Sequence, residues 1–185
     1  SYILDLSRTF SGYTDKLIVA PLLGFAILGN YQLGIQVLSI ISILPGSVYQ
    51  YILPRDASGE SNKKLKKIII MISIILAILG IILAPIVMPV LFPQFTESVE
   101  VIQIVSISVI PNTVNLIYIS KFLSKELSKI VLIGSGIFLA VQLISIFILG
   151  EWLGVNGISL ALVLGTTAEA VFLVSINRLI YKIDN

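Results

Sequence analysis

The sequence predicts an all-α fold: a polytopic transmembrane helical bundle of six spans with both termini on the cytoplasmic side. Composition is the first reason, because 57% hydrophobic residues, 12% charged residues and a mean hydropathy of +1.05 do not suit a soluble domain of only 185 residues. Run length is the second. Stretches such as Ile68 to Val90 are apolar all round and, at ~1.5 Å of rise per residue, long enough to cross ~30 Å of hydrocarbon. Such runs must be helical, since lipid satisfies no backbone polar group. Charge is the third: eleven of the twelve Lys and Arg residues fall at the termini or in alternate gaps between the apolar stretches, which the positive-inside rule makes cytoplasmic.

Taken in order, the spans run over about 10–28, 31–53, 65–91, 99–122, 129–149 and 157–181, in a single transmembrane domain. Arg8 precedes the first, and the gap at Gly29 and Asn30 carries no charge. Arg55, Lys63, Lys64, Lys66 and Lys67 surround the second gap, whose polar stretch from Arg55 to Lys64 is the longest cytoplasmic loop. The third gap holds only Glu97 and Glu100, the fourth Lys121, Lys125 and Lys129, the fifth only Glu151, and the tail Arg178 and Lys182. Aromatic residues border these spans as interfacial belts, with Tyr49, Tyr51, Phe122 and Tyr181 inside and Tyr31, Phe92, Phe95 and Trp152 outside. Ser1 opens no signal-peptide pattern, and the missing initiator Met suggests a fragment or a processed start.

These features exclude several functions. The net charge of +2 is spread over short loops and forms no nucleic-acid-binding pattern. Without Cys or His, the usual zinc and haem ligation, thiol catalysis, disulfides and a Ser-His-Asp triad are unavailable, and no phosphate-binding GxxxxGK[ST] loop is present. Asp15 and Glu169 lie far apart in sequence and do not read as a catalytic pair. The expectation is therefore a non-enzyme with no metal and no cofactor.

Small residues mark packing faces: Ser73, Ala77, Gly80 and Ala84 follow steps of four, three and four in the third span, and Ala161, Gly165 and Ala168 line the sixth. Polar stripes are more suggestive. Gln36, Ser39, Gly46 and Gln50 share a face of the second span, Ser108, Asn112 and Asn115 a face of the fourth, and Gln103 and Gln142 add further amides. Interhelical hydrogen bonding is the plainer account, and a wettable pathway the functional one. Pro21, Pro45, Pro85, Pro89 and Pro111 interrupt helical hydrogen bonding, as in transporters that use bent helices near a site, although proline is common in membrane helices generally.

Three charges lie within spans. Asp15 and Lys16 sit about two turns into the first, and Glu169 is near the middle of the sixth. A charge at the bilayer centre costs at least ~2.5 kcal/mol, so each should face an aqueous cavity, find a partner or be neutral. Lys16 can snorkel or pair with Asp15. Glu169 can be protonated and bonded to a neighbouring helix.

The run Asp15-Lys16-Leu17-Ile18-Val19, the turn Leu28-Gly29-Asn30-Tyr31 and the helix ending Leu53-Pro54-Arg55 resemble the second half of polysaccharide and oligosaccharide flippases of the MOP (MATE-like) superfamily. The glycine-punctuated segment from Gly150 to Ala161 is similar to that family's approach to its last helix. The resemblance spans nearly the whole chain through short, degenerate motifs, and Glu169 matches none of them. It implies one six-helix lobe, C-terminal in the family, of a plasma-membrane protein that moves lipid-linked oligosaccharides across the bilayer. It places Asp15 and Lys16 near the substrate path, and it implies a partner lobe, either a missing N-terminal half or a second copy.

Asp15, Lys16, Gln36, Asn112, Asn115, Gln142 and Glu169 are the candidates for a substrate or ion pathway. Lys63, Lys64, Lys66 and Lys67 are candidates for lipid headgroups, although topology-setting anchorage also accounts for them. A MATE-like drug or ion antiporter and a non-transporting scaffold or assembly subunit are the alternatives. A transporter lobe should expose a polar face containing Asp15 and Gln36, which a scaffold should bury.

Overall fold

The computed structural model describes residues 25–60 and 62–183, and the described residues are all-helical and contain no strand. Six helices follow in order: α1 (Phe25–Ile41), α2 (Ile43–Ala57), α3 (Lys63–Leu91), α4 (Ser98–Ile107), α5 (Val109–Ser124) and α6 (Ser128–Ile183). Lys63–Leu91, Ser98–Ser124 and Ser128–Ile180 are each long and apolar enough to cross a membrane, and α1 with α2 makes a fourth if the bent pair is one span. Most of the expected first span, with Asp15 and Lys16, lies outside the described residues.

Proline accompanies two of the helix breaks. Between α1 and α2 the axis turns by 47°. Pro45 has no N–H for the carbonyl of Ile41 four residues back, and the break falls at Ser42, in that turn. Pro111 does the same to Ile107, beside the turn at Ser108 that separates α4 from α5.

The uncharged turn expected at Gly29 and Asn30 is instead helix, since α1 is already formed at Phe25. An asparagine interrupts helices when its carboxamide bonds to local backbone. Here that group reaches α4, donating to the Glu97 carboxylate at 2.9 Å and accepting from the Ser98 hydroxyl at 2.9 Å.

Helix α6 folds back on itself. Gly154 takes φ 57° and ψ −131°, a conformation for which only glycine is suited. The two arms then pack antiparallel through glycines: Gly157 against Leu149, Gly165 against Phe138 and Gln142, and Gly134 against Leu173 and Glu169. A Cβ at Gly157 would collide with the carbonyl of Leu149, so the arms approach there as closely as backbones allow.

One core cluster joins α1, α4 and both arms of α6 through Tyr31, Val101, Val105, Ile146, Ile158, Ala161 and Leu162. Another joins α5 and the far ends of the arms through Ile119, Phe122, Val131 and Leu173. Tyr31 and Phe122 are thus core residues, contrary to the interfacial belt expected of them, because each ring points into a helix junction. Trp152, 85% exposed, is free to serve as a belt residue.

The small-residue stripe of α3 is its buried face: Ser73, Ala77, Gly80 and Ala84 line up with Ile69 and Met88. Its opposite face exposes Ile74, Ile75, Ile78, Leu79, Ile82, Leu83 and Ile86. So wide an aliphatic surface is stable against lipid and not against water, which makes this a membrane protein.

Candidate functional site

A cavity with a partly polar wall opens between α1, α5 and α6. It measures about 380 Å³ and is lined by Leu38 of α1, Ser108 between α4 and α5, Asn112, Asn115, Leu116 and Ile119 of α5, and Ser135, Phe138, Leu162, Thr166 and Glu169 of α6. Helical spacing assembles it. Ser108, Asn112 and Asn115 are separated by four and three residues and so share one face, while Thr166 and Glu169, three apart, share another on the second arm of α6.

Asn115 and Glu169 meet across that space. Asn115 is 2% exposed, and its Nδ2 donates to the Glu169 carboxylate at 3.0 Å and to the backbone carbonyl of Thr166 at 3.0 Å. Glu169 is 8% exposed. A carboxyl group this deep in an apolar bundle is costly in its charged form unless donors or a cation compensate it, and the carboxamide supplies one such donor. The Asn115 Oδ1 is buried and accepts no hydrogen bond among the described residues. The Thr166 hydroxyl is turned back to its own helix, donating to the carbonyls of Leu162 and Val163. The wall thus offers oxygen ligands and an ionisable group, suited to taking up a proton or a small cation.

The other candidates are dispersed. Asn112 lines the same cavity. Gln142 is buried, with its Cβ beside Gly165, in the contact between the two arms of α6, and it does not line the cavity. Gln36 and Ser39 are exposed on α1 and Ser47 and Gln50 on α2, with exposed Ile40, Ile43 and Leu44 between them. Asp15 and Lys16 lie outside the described residues.

Among the four lysine candidates, Lys63, Lys64 and Lys67 are exposed, whereas Lys66 is drawn inward, its Nζ 2.7 Å from the Asp56 carboxylate. Asp56 was missed as a site residue; it reads only as one charge in a polar loop. Ser135 and Thr166 were also missed. Thr166 could have been found by its position one turn before Glu169 on the same face.

No family model matches this chain, and neither the curated proteins nor the solved structures contain a match to it.

Proposed function

We propose that the chain is one lobe of a multi-pass plasma-membrane transporter, of the kind that moves lipid-linked oligosaccharides in the MOP superfamily, and that it works against a second six-helix lobe. The observation that carries this reading is the buried Asn115–Glu169 pair on the wall of a partly polar cavity, Glu169 being the one acidic side chain buried there among the described residues. An ionisable group retained at that cost is a functional group by default, and uptake of a proton or cation at Glu169 would couple to movement of α5 against α6. Exposed Gln36, Ser39, Ser47 and Gln50, set among exposed Ile40, Ile43 and Leu44, give the bent α1–α2 pair a mixed surface, unlike the aliphatic one of α3, and that supports a second lobe packed against it.

Six spans with both termini cytoplasmic belong to this reading. Among the described residues the two arms of α6, the bent α1–α2 pair, α3 and α4–α5 are each suited to one span, and the expected span at 10–28 lies mostly outside the described residues.

A scaffold or assembly subunit is the second reading. It is favoured by the same hydrogen bonds seen another way, since Asn115 ties α5 to α6 through a backbone carbonyl as well as through Glu169.

Transport of a fluorescent lipid-linked oligosaccharide in proteoliposomes, with the complete assembly reconstituted, separates the two. Under the transporter reading Glu169→Gln slows flipping at least about tenfold while the thermal stability of the assembly changes little. An unchanged rate would sink that reading, and a loss of assembly at full rate per intact complex would establish the scaffold. Because the sequence contains no Cys, single cysteines at Glu97 and Glu126 report topology directly by labelling from opposite sides.

A further inference from the structure

The ends of α2, α3 and α5 meet at Asp56. Its carboxylate accepts from the Lys66 ammonium through both oxygens at 2.7 Å and from the Ser120 hydroxyl at 2.9 Å, and its side chain is 4% exposed. One carboxylate is therefore fully engaged by one lysine and one hydroxyl, yet it stands among four ammonium groups. Helical spacing brings three more ammonium groups to the junction: Lys63 lies one turn before Lys66 on α3, Lys121 directly follows Ser120 on α5, and Lys125 is one turn further on.

Lys121 is half-buried, while Lys63 and Lys125 are exposed, and none of the three forms an ion pair among the described residues. The carboxylates on the adjoining turns, Glu60 and Glu126, are exposed and form none either. Arg55 is turned to a different use, its guanidinium 4.7 Å above the Tyr51 ring. The junction thus concentrates three positive charges that form no ion pair among the described residues, one of them half-buried.

We propose that Lys63, Lys121 and Lys125 form a binding site for the phosphate of an anionic lipid headgroup, with Lys66 withheld from it by Asp56. Charge complementarity sets the sign of the ligand, and position sets its source. The cluster lies where the apolar helices α3 and α5 end, at the depth of the headgroups, and a half-buried lysine delivers its ammonium to that boundary. General anchorage needs only positive charge somewhere on this face of the protein. A built site needs these three residues and is indifferent to Lys64 and Lys67.

That difference is testable by native mass spectrometry of the purified chain in detergent, titrated with phosphatidylglycerol or with phosphatidylcholine. The wild type should retain phosphatidylglycerol at least about tenfold better, and Lys121→Gln with Lys125→Gln should weaken that retention about fivefold per lysine removed. Lys64→Gln with Lys67→Gln should leave it unchanged. Lys121→Arg should restore most of the binding, which excludes misfolding as the cause of the loss. Equal losses in both double variants would overturn the proposal in favour of diffuse anchorage. Displacement of the lipid by millimolar inorganic phosphate would overturn it in favour of a free-anion site.

Discussion

The side-chain amide of Gln103 on α4 donates to the backbone carbonyl of Ile81 on α3 at 3.1 Å, and that carbonyl is the one Pro85 leaves without its helical donor. A gap made by proline in one helix is therefore filled by a side chain from the next. Gln103→Leu should destabilise the protein in detergent by about 1–2 kcal/mol, by orphaning a carbonyl in an apolar setting. In a Pro85→Ala background residue 85 regains its N–H, and the same substitution should cost less than about 0.5 kcal/mol. Equal costs in both backgrounds, read from a double-mutant cycle, would show that Gln103 acts by packing alone.

Asn115 makes a prediction about the cavity. Asn115→Leu removes the donor to Glu169 and the tie to Thr166 together, so stability should fall by about 1–3 kcal/mol. Adding Glu169→Leu should recover part of that loss, because the remaining carboxyl is then no longer buried without this donor. Strict additivity in chemical unfolding would mean that the two residues do not interact.

Asp56, in the last turn of α2, is expected to matter more than the exposed carboxylates Glu60 and Glu126 of the adjoining turns. Asp56→Ala leaves the Lys66 ammonium, whose side chain is 13% exposed, without its carboxylate, at a cost of about 2–4 kcal/mol. The double change Asp56→Ala with Lys66→Met should be milder than the single one, because the ammonium is removed together with its carboxylate. Melting temperatures of the three variants decide it.

Gly157 and Gly136 should respond in opposite senses to alanine. At Gly157 a methyl group meets the Leu149 carbonyl and must push the arms of α6 apart, costing upward of about 2 kcal/mol. At Gly136 nothing lies within 4 Å, and alanine should stabilise the helix by about 0.5–1 kcal/mol.

The turn after α5 offers a gain. Leu127 N–H donates to the Phe122 carbonyl and Glu126 N–H to that of Leu123, the helix-ending pattern that the turn after α2 repeats with Glu60 on Arg55 and Gly59 on Asp56. The residue in the left-handed position is Gly59 after α2, at φ 82°, but Glu126 after α5, at φ 60°. Glu126→Gly should relieve about 1 kcal/mol of backbone strain and raise the melting temperature.

Periodicity and chemistry made part of this molecule legible in advance. The buried stripe of α3 follows from small residues at helical spacing, and the bend after Ile41 from a proline four residues on, because both signals are local. What escaped depends on where a side chain points after the helices meet. Tyr31 and Phe122 have the composition of belt residues and the position of core ones. Asn30 reads as a turn former until Glu97 and Ser98 engage its carboxamide. Asn115 and Glu169 were each singled out, but nothing in the chain between them announces that they touch, since their contact exists only once α5 lies on α6. Asp56 shows the same limit: its partners come from two other helices.

The hairpin of α6 also bears on the order of assembly. Its arms meet through residues close in sequence around Gly154, so their contacts require little loop closure and can form before the rest of the bundle. Glu169 is then carried on a wall already built, next to Gly134 of the opposite arm, while Asn115 must arrive later with α5. Hydrogen exchange should accordingly find the glycine-lined arms the last region to open and the α5 contact an earlier one. A carboxyl group waiting on a finished surface for its amide partner would make the closing of that cavity the final step by which the protein acquires its shape.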